Sequence, residues 1–259
     1  MRGTLTKDLP QKFNLPSGVS EIVHNLTKGQ YMSRKIIIAL SGWKQSGKST
    51  VAGILEDALR EDFQYANNIS SLKVESFATP FKRIIEDVFC VVESQVADKE
   101  APLEETRFFY DNLKSYRDLC IDFGEGMKEI AGKNIWVNTI ERHILKFFKG
   151  KHQADCVFII PDVRFIPEIK LLERMKKRGF EVYHLCVLRK EAVPEWAMMG
   201  LCASDKKDLK IIKESYPEIS HTEYEWCSMN PKVIGIINDG TLDELKASVQ
   251  KNVLDRIWK

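Results

Sequence analysis

The residues best suited to chemistry lie in one stretch, Gly42–Ser49, with the sequence Gly-Trp-Lys-Gln-Ser-Gly-Lys-Ser. This stretch fits G-x-x-x-x-G-K-[ST], a loop pattern whose backbone N–H groups cradle phosphates. The N-terminus of a following helix adds partial positive charge where the anion sits. Lys48 can then reach the β- and γ-phosphates of a nucleoside triphosphate, and the Ser49 hydroxyl can hold Mg²⁺. The residues predicted to bind the triphosphate are Gly42, Ser46, Gly47, Lys48, Ser49 and Thr50.

The segments on either side of this stretch have the pattern that such a loop requires. An apolar run, Lys35–Leu40, comes before it and predicts a buried strand. After it, apolar residues recur at helical spacing at Val51, Ile54, Leu55, Ala58 and Leu59. Strand, glycine loop and helix in this order favour a phosphate-binding loop over a glycine turn that only opens a helix.

Three further sets of polar residues follow predicted strands. Asp162 and Arg164 follow Cys156–Ile160, Arg189 follows Val182–Leu188, and Asn238–Gly240 follow Val233–Ile237. Strands that alternate with helices imply right-handed crossovers and a parallel sheet covered on both faces. Ligands of such sheets bind at the carboxyl ends of the strands. The polar residues and the glycine loop are therefore predicted to meet at one edge of the sheet, as an active site.

Phosphoryl transfer asks a protein mainly for in-line positioning and for positive charge around the moving phosphate. Asp162, an acid just past a hydrophobic strand, is predicted to hold the metal together with Ser49; the alternative is a helix-capping or surface aspartate. Arg164 carries a fork-shaped guanidinium that suits a phosphate, the alternative being an ion pair with Glu168.

Two more cations complete the predicted catalytic and donor-binding set. Lys44, inside the loop, is placed to reach the transferred phosphate, although a solvated loop lysine is an equal alternative. Arg189 is predicted to bind donor phosphates, with a structural ion pair as the alternative. The predicted catalytic residues are thus Lys44, Lys48, Asp162 and Arg164.

Composition places limits on the class of protein. The chain has 259 residues, 29% of them charged and 44% hydrophobic, with a net charge of +2. This balance gives no support for a nucleic-acid partner. The six cysteines contain no C-x-x-C pair, which argues against zinc and disulfides and for a reducing compartment. The sequence shows no run of about 20 apolar residues and no secretory signal, so a cytoplasmic protein without a membrane partner is expected.

Several motifs, taken in order along the chain, resemble those of one family. They are Gly42–Thr50; Ser76–Lys82; Arg117 with Phe123-Gly124 and Trp136; Pro161–Phe165 with Glu168; His221–Glu223; and Asn238–Leu242 with Glu244-Leu245. Together they resemble the deoxynucleoside monophosphate kinases of bacteriophages, within the P-loop kinase superfamily, over about residues 35–257. The phosphate loop is shared by many proteins, whereas the D-V-R-F-x-x-E and N-D-G-T-L-x-E-L segments are more specific.

The resemblance implies an α/β fold with three layers, α/β/α, and a mainly parallel five-stranded sheet of order 2-3-1-4-5. It implies a P-loop kinase domain over residues 35–259, with a helical acceptor-binding insertion at about 78–150 and a lid-like insertion at about 190–231. Residues 1–34, which lack a sustained period, are then an N-terminal extension. A homodimer in the cytoplasm, that of a host cell if the protein is phage-encoded, also agrees with the family.

The activity implied is transfer of the γ-phosphate of ATP, with Mg²⁺, to a deoxynucleoside monophosphate. Carried over from the family, the acceptor-binding residues are Phe77, Lys82, Arg117, Glu125, Trp136 and Arg164. Arg189, Asn238, Asp239 and Gly240 would lie near the donor nucleotide. His221 and Glu223 match a motif of the lid-side loop.

Two departures from the family pattern bear on these expectations. Ser49 stands where many members have Asp, which is closer to the general loop pattern. Gly124-Glu125-Gly126 stands where many members read G-T-[DE], which puts acceptor selectivity in doubt. A kinase of another small acceptor, like those of phosphomevalonate or shikimate, and a non-enzymatic ATP-binding module are the alternatives. Trp136 and Phe77 are also explained by ordinary core packing.

Overall fold

The structure is a computed structural model that describes residues 33–65, 69–98, 115–151, 154–193, 214 and 233–258, except for side chains 62–65 and 95. The strands are β1 (Lys35–Gly42), β2 (Ile69–Val74), β3 (Asp155–Ile160), β4 (Glu181–Leu188) and β5 (Ile234–Ile237). The helices are α1 (Lys48–Tyr65), α2 (Thr79–Val88), α3 (Glu93–Ala97), α4 (Tyr116–Ala131), α5 (Ile135–Phe148), α6 (Ile166–Lys177), α7 (Leu242–Val249) and α8 (Asp255–Ile257). A 3₁₀ turn spans Lys190–Ala192, and a π turn at Gln250–Leu254 joins α7 to α8.

All strands pair in parallel in one sheet, in the order β2-β3-β1-β4-β5. The predicted fold class, including this order, is confirmed. β1 is the central strand: Ile38 pairs with Ile159 of β3 on one side and with Tyr183 of β4 on the other. Because every strand runs the same way, the carboxyl ends of β1, β3, β4 and β5 lie along one edge of the sheet.

Alternation along β1 sends its side chains into two separate cores. Ile36, Ile38 and Leu40 pack against α1, α7 and the π turn. Ile37 and Ala39 lie on the opposite face and pack against α5 and α6. All five side chains are fully buried. Burial on both faces explains why β1 is a continuous apolar run rather than an alternating one.

The amino end of the sheet is closed by contacts around Arg34, which we call the Arg34 latch. The Arg34 guanidinium bonds to the fully buried Asp155 at 2.6 and 2.8 Å, and the Arg34 backbone N–H donates to the same carboxylate at 2.8 Å. Arg34 also donates to the Ile257 carbonyl and lies over the Trp258 ring, 5.1 Å from its centroid. The latch therefore joins the start of β1 to β3 and to the last helix.

One predicted strand has different bounds in the structure. The sequence predicts a strand over Leu72–Phe77, but β2 spans Ile69–Val74. The strand ends early because Ser76 and Thr79 form two reciprocal hydrogen bonds. The Ser76 N–H donates to Thr79 Oγ1 at 3.0 Å, and the Thr79 N–H donates to Ser76 Oγ at 3.1 Å. This exchange turns the chain directly into α2, whose start at Thr79-Pro80 is as predicted.

Some predicted features cannot be compared with the structure. Most of the lid-like insertion, including His221 and Glu223, lies outside the described residues, as do residues 1–32 of the predicted extension. Asn134 is a residue type that favours the start of a helix, and it does precede α5, but its side chain makes no capping hydrogen bond. Within the described part of the chain, every helix is too short or too polar to cross a bilayer.

Candidate active site

The loop between β1 and α1 has a backbone that requires glycine at two points. Gly42 has φ +148°, and a Cβ there would lie 2.4 Å from the Val187 carbonyl oxygen. Gly47 has φ +95°, and a Cβ there would lie 2.2 Å from the side-chain nitrogen of Asn238. Side chains rarely adopt such φ values, so both positions are conformationally and sterically reserved for glycine. The predicted glycine loop is thus present and tightly packed.

Lys48 is held over this loop by the loop's own backbone. Its Nζ donates to the carbonyls of Gly42 at 2.9 Å and of Trp43 at 2.8 Å. The side chain is about nine-tenths buried, and Nζ lies 3.9 Å from Asp162 Oδ1. A nearly buried ammonium at the mouth of a helix N-terminus is an electrostatic site for an anion.

Asp162 and Arg164 lie at the end of β3, next to the loop. The Val163 N–H donates to the Leu40 carbonyl at 2.7 Å, which ties this turn to β1. Arg164 Nε contacts Asp162 Oδ2 at 2.7 Å. The structure therefore brings together three of the four predicted catalytic residues, Lys48, Asp162 and Arg164. The fourth, Lys44, is exposed on the loop.

Glu168 organises the same turn from the first turn of α6. Its Oε2 accepts from the backbone N–H groups of Arg164 at 2.7 Å and Phe165 at 3.0 Å. The carboxyl is nearly fully buried, and this burial raises the pKa of Glu168 to about 8, with the two N–H donors opposing the rise. The predicted alternative, an Arg164–Glu168 ion pair, takes a different form: Glu168 binds the backbone, and the guanidinium contacts Asp162.

The predicted Mg²⁺ ligands fit the ion's chemistry. Asp162 Oδ1 is buried and accepts no hydrogen bond from the described residues. Ser49 stands in the first turn of α1 and is exposed. The part of the chain that the structure describes has no group of three His, Cys, Asp or Glu side chains suited to a metal. Mg²⁺ is usually bound through one or two carboxylates together with substrate phosphates, and the unpartnered Asp162 oxygen would supply one of these.

The turn after β5 supports the loop from the other side. Asn238 donates from its side-chain amide to the Ser46 carbonyl at 2.8 Å and from its backbone to the Leu188 carbonyl at 2.7 Å. Asp239 Oδ1 accepts from the Lys190 N–H at 2.6 Å. Of the predicted donor-side residues, Asn238 thus contacts the loop, Asp239 bonds the 3₁₀ turn after β4, and Gly240 lies in the same turn after β5, close to Glu244.

Arg189 is a surface cation, whereas His184 and Cys186 lie beneath the loop and are uncharged at pH 7. Arg189 pairs with Glu191 at 2.9 Å, on the surface. Underneath the loop, Ser41 Oγ hydrogen-bonds His184 Nε2 between β1 and β4. Burial lowers the pKa of His184 to about 4 and raises the pKa of neighbouring Cys186 to about 11, although Lys48 opposes the second shift. Both groups are neutral at pH 7, so Lys48 meets no competing charge from these two residues.

Of the six predicted acceptor-binding residues, Arg164 lies at the end of β3, and the other five are on the helices or in the core. Trp136 stacks near Phe81, with ring centroids 4.9 Å apart, and donates from Nε1 to the Gly124 carbonyl at 3.0 Å. Glu125, beside Gly124, pairs with Lys128 at 2.7 Å on the surface. Phe77 packs into the core under α5 and α6, away from this aromatic group. The other two predicted residues are Lys82, half-buried on α2, and Arg117, exposed at the start of α4.

Sequence reasoning missed a buried carboxylate, Glu75, at the carboxyl end of β2. Its side chain is fully buried and lies 2.6 Å from Lys73 Nζ, 3.0 Å from His143 Nδ1 and 3.7 Å from Arg83 Nη1. We call these four residues the Glu75 cluster. A signal was present: Lys73 and Glu75 are two residues apart, so they share one face of a strand that the pattern predicts to be buried.

Comparison with known proteins adds little beyond architecture. No family model matches the chain, and no curated protein matches it. Among solved structures, the APS kinase of Mycobacterium tuberculosis in complex with AMPPNP and APS superposes with a TM-score of 0.42 at 13% identity, covering 88% of this chain and 99% of that one. A candidate kinase from Chloroflexus aurantiacus gives 0.41 at 9%, covering 87% and 98%. TT1252 from Thermus thermophilus gives 0.38 at 15%, covering 87% and 97%.

Proposed function

We propose that this protein transfers the γ-phosphate of ATP to a deoxynucleoside monophosphate. One observation carries the transfer chemistry. Lys48, at the start of α1, lies 3.9 Å from Asp162 just after β3, and Asp162 in turn lies 2.7 Å from Arg164. A site that only bound ATP would have no use for a second cation, Arg164, beside the metal-binding acid.

On the donor side, the loop N–H groups and the start of α1 hold the phosphates of ATP. Lys48 leaves its two carbonyl partners and neutralises charge that develops on the transferred phosphate. Mg²⁺, when bound, neutralises the donor phosphates, and Ser49 and Asp162 would hold it. Arg164, which lies 2.7 Å from Asp162 at the end of β3, would stand between donor and acceptor. Little more than this positioning is needed, because the phosphoryl transition state is mainly stabilised electrostatically.

The acceptor is inferred from the family resemblance together with the aromatic group on the acceptor side. The aromatic group consists of Phe81 on α2, Phe123 on α4 and Trp136 on α5. The ring centroids of Phe81 and Phe123 lie 4.9 and 6.4 Å from that of Trp136. Aromatic faces stack on nucleobases irrespective of their identity. Lys82, on the same helix as Phe81, supplies a cation for the acceptor phosphate. Together these residues suit a monophosphate with a base better than a small polar acceptor.

The test is a product assay with ATP and two sets of acceptors: the four deoxynucleoside monophosphates, and small hydroxyl or phosphorylated acceptors without a base. We expect a diphosphate product from at least one member of the first set. Turnover only of the second set would replace this proposal with another kinase. ATP binding without any product would identify a binding module instead.

Lys48→Ala serves as the internal check on the donor site. We expect turnover to fall by about 10²–10³, the usual cost of losing an electrostatic group that acts in the transition state. The melting temperature should stay close to that of the wild type, since the ammonium contacts the loop carbonyls and Asp162 at the edge of the sheet rather than in either core. Near-normal turnover in a natively folded variant would show that the loop is not the donor site.

A further inference from the structure

The Glu75 cluster lies at the point where the sheet meets the helices of the acceptor side. The Glu75 N–H donates to the Ile159 carbonyl at 2.9 Å, so this residue is still fastened to the end of β3. Its side chain turns to the face covered by α5, where His143 Nδ1 lies 3.0 Å away. Arg83 reaches it from α2. One buried carboxylate thus contacts a strand and two helices of the acceptor side.

The connection from Glu75 to α2 is short and stiff. Directly after Glu75, Ser76 and Thr79 exchange two backbone-to-side-chain hydrogen bonds of 3.0 and 3.1 Å. Thr79 is the first residue of α2, so no loose linker separates the helix from the carboxylate. The placement of Phe81 and Lys82, on the first turn of this helix, therefore follows from the placement of Glu75.

The charges of the cluster make Glu75 its indispensable member. Lys73 and Arg83 are cations, and His143 adds a proton donor, whereas Glu75 is the one carboxylate among the four residues. Without it, two cations would face each other at the edge of the sheet with their partner lost. Lys73 and Arg83 are 34% and 61% exposed, so Glu75 is also the one fully buried member of the cluster, and a buried carboxylate is retained only where it is paired.

We propose that Glu75 is a positioning residue for the acceptor: it fixes α2 to the sheet and so holds Phe81 and Lys82 where the monophosphate binds. This inference rests on the proposed function for its kinetic consequence. It does not involve the donor loop, to which the cluster makes no contact within the described residues. Glu75 therefore acts on one of the two substrates only.

The test compares Glu75→Gln with Glu141→Gln, a matched control. Glu141 lies on α5 and likewise contacts two cations, Arg174 at 2.6 Å and Arg178 at 2.9 Å, but these tie α5 to the end of α6 rather than to α2. Two readouts are used: hydrogen exchange of peptides that cover α2 and α1, and KM for ATP and for the best deoxynucleoside monophosphate of the panel.

In Glu75→Gln we expect faster exchange in α2 but not in α1, a KM for the monophosphate raised about tenfold or more, and a KM for ATP within about twofold of the wild type. Glu141→Gln should change neither α2 exchange nor the monophosphate KM. Parallel increases in both KM values, or faster α2 exchange with an unchanged monophosphate KM, would overturn the proposal, since either result describes a structural role only.

His143→Ala is the second variant, because His143 is a third exposed and its truncation leaves Glu75 paired with Lys73 and Arg83. It should move the same two readouts in the same direction and by less, and it decides the question if Glu75→Gln does not fold. If the wild type phosphorylates no deoxynucleoside monophosphate, the proposed function is wrong. Unchanged α2 exchange in both variants would refute the positioning role regardless of that outcome.

Discussion

At the scale of single residues, Arg164 gives the sharpest prediction about transfer. Arg164→Ala should lower kcat far more than it weakens ATP binding, because an interaction made mainly in the transition state lowers rate rather than affinity. Single-turnover rate, ATP affinity and melting temperature measured on one preparation separate the two effects. Arg174→Ala is the control, since both arginine side chains are 42% exposed and each contacts one carboxylate. A fully active Arg164→Ala protein would exclude the transfer role.

Glu168 predicts how stability depends on pH. Its pKa rises on folding from 4.5 to about 8, so the folded state binds more protons than the unfolded state within that window. The contribution of Glu168 to the free energy of unfolding is therefore full below pH 4.5 and is lost as the pH rises towards 8. Relative to Glu168→Gln, the wild type should lose stability over this range, by roughly 1 kcal/mol or more. Melting temperatures of both proteins from pH 5 to pH 8.5 measure this.

A second capping carboxylate offers a control of opposite sign. Glu244 caps α7 by accepting from the Thr241 N–H at 2.7 Å, as Glu168 caps α6. It is exposed, and this hydrogen bond lowers its pKa. The contribution of Glu244 is therefore present above its unfolded pKa and lost as the pH falls. If Glu168→Gln and Glu244→Gln show the same pH trend, burial does not control the Glu168 carboxyl.

The residues that the sequence places correctly are those at strand ends. Gly42–Ser49, Asp162 and Asn238 come together because parallel strands present their carboxyl ends at one edge, which the order of elements alone dictates. The contact between Glu75 and His143 was missed because the two residues are 68 positions apart and His143 lies on another helix. Such a contact has no local pattern, since it depends on how α5 packs on the sheet.

At the scale of elements, the turn after β5 should control the donor loop. In Asn238→Ala the Ser46 carbonyl loses its amide partner, so we expect KM for ATP to rise about tenfold while KM for the acceptor is unchanged. Asn252→Ala removes a comparable amide bond, 3.2 Å to Ser248 Oγ, from the last helical segment and is the matched control. Equal ATP kinetics in the two variants would mean that the Asn238 contact does not shape the loop.

Element boundaries show where periodicity suffices. The sequence predicts a helix over Ile166–Lys177 that stops at Gly179, and α6 has these bounds. The predicted last helix, with apolar positions from Leu242 to Val253, is interrupted by the π turn at Gln250–Leu254. The π turn lets Val253 and Leu254 both enter the core. The spacing of the apolar residues does not reveal the π turn, because the turn changes the helical register so that these side chains fit against the sheet.

At the scale of the whole molecule, the Arg34 latch should affect stability without affecting the site. Asp155→Ala leaves the Arg34 guanidinium without its buried carboxylate, which should cost about 3 kcal/mol of unfolding free energy, the lower end for such pairs because Arg34 is 29% exposed. Asp155 starts β3, at the opposite end of the strand from Asp162, so kcat per folded molecule should stay the same. Denaturant unfolding and active-site titration measure the two quantities.

An exposed pair provides the comparison for this latch. Glu56 and Arg60 form an i,i+4 pair on α1, and Glu56→Gln should cost less than about 0.5 kcal/mol. Should Asp155→Ala cost no more than Glu56→Gln, the latch is not a stabilising contact. A loss of kcat in Asp155→Ala would instead show that the two ends of β3 are mechanically coupled.

The contact between Asn238 and the donor loop also bears on how the protein is made. Asn238 and Ser46 are 192 residues apart, so the loop is translated early and receives this support late. At about 5–20 residues per second, the delay on the ribosome is roughly 10–40 s. Early in that interval the loop of a nascent chain also lacks the Val187 carbonyl that packs against Gly42. Until β5 is made, it lacks the Asn238 amide that bonds to Ser46. On the proposed function, a chain truncated before β5 should therefore bind ATP more weakly than the full chain, because its loop lacks the Asn238 contact.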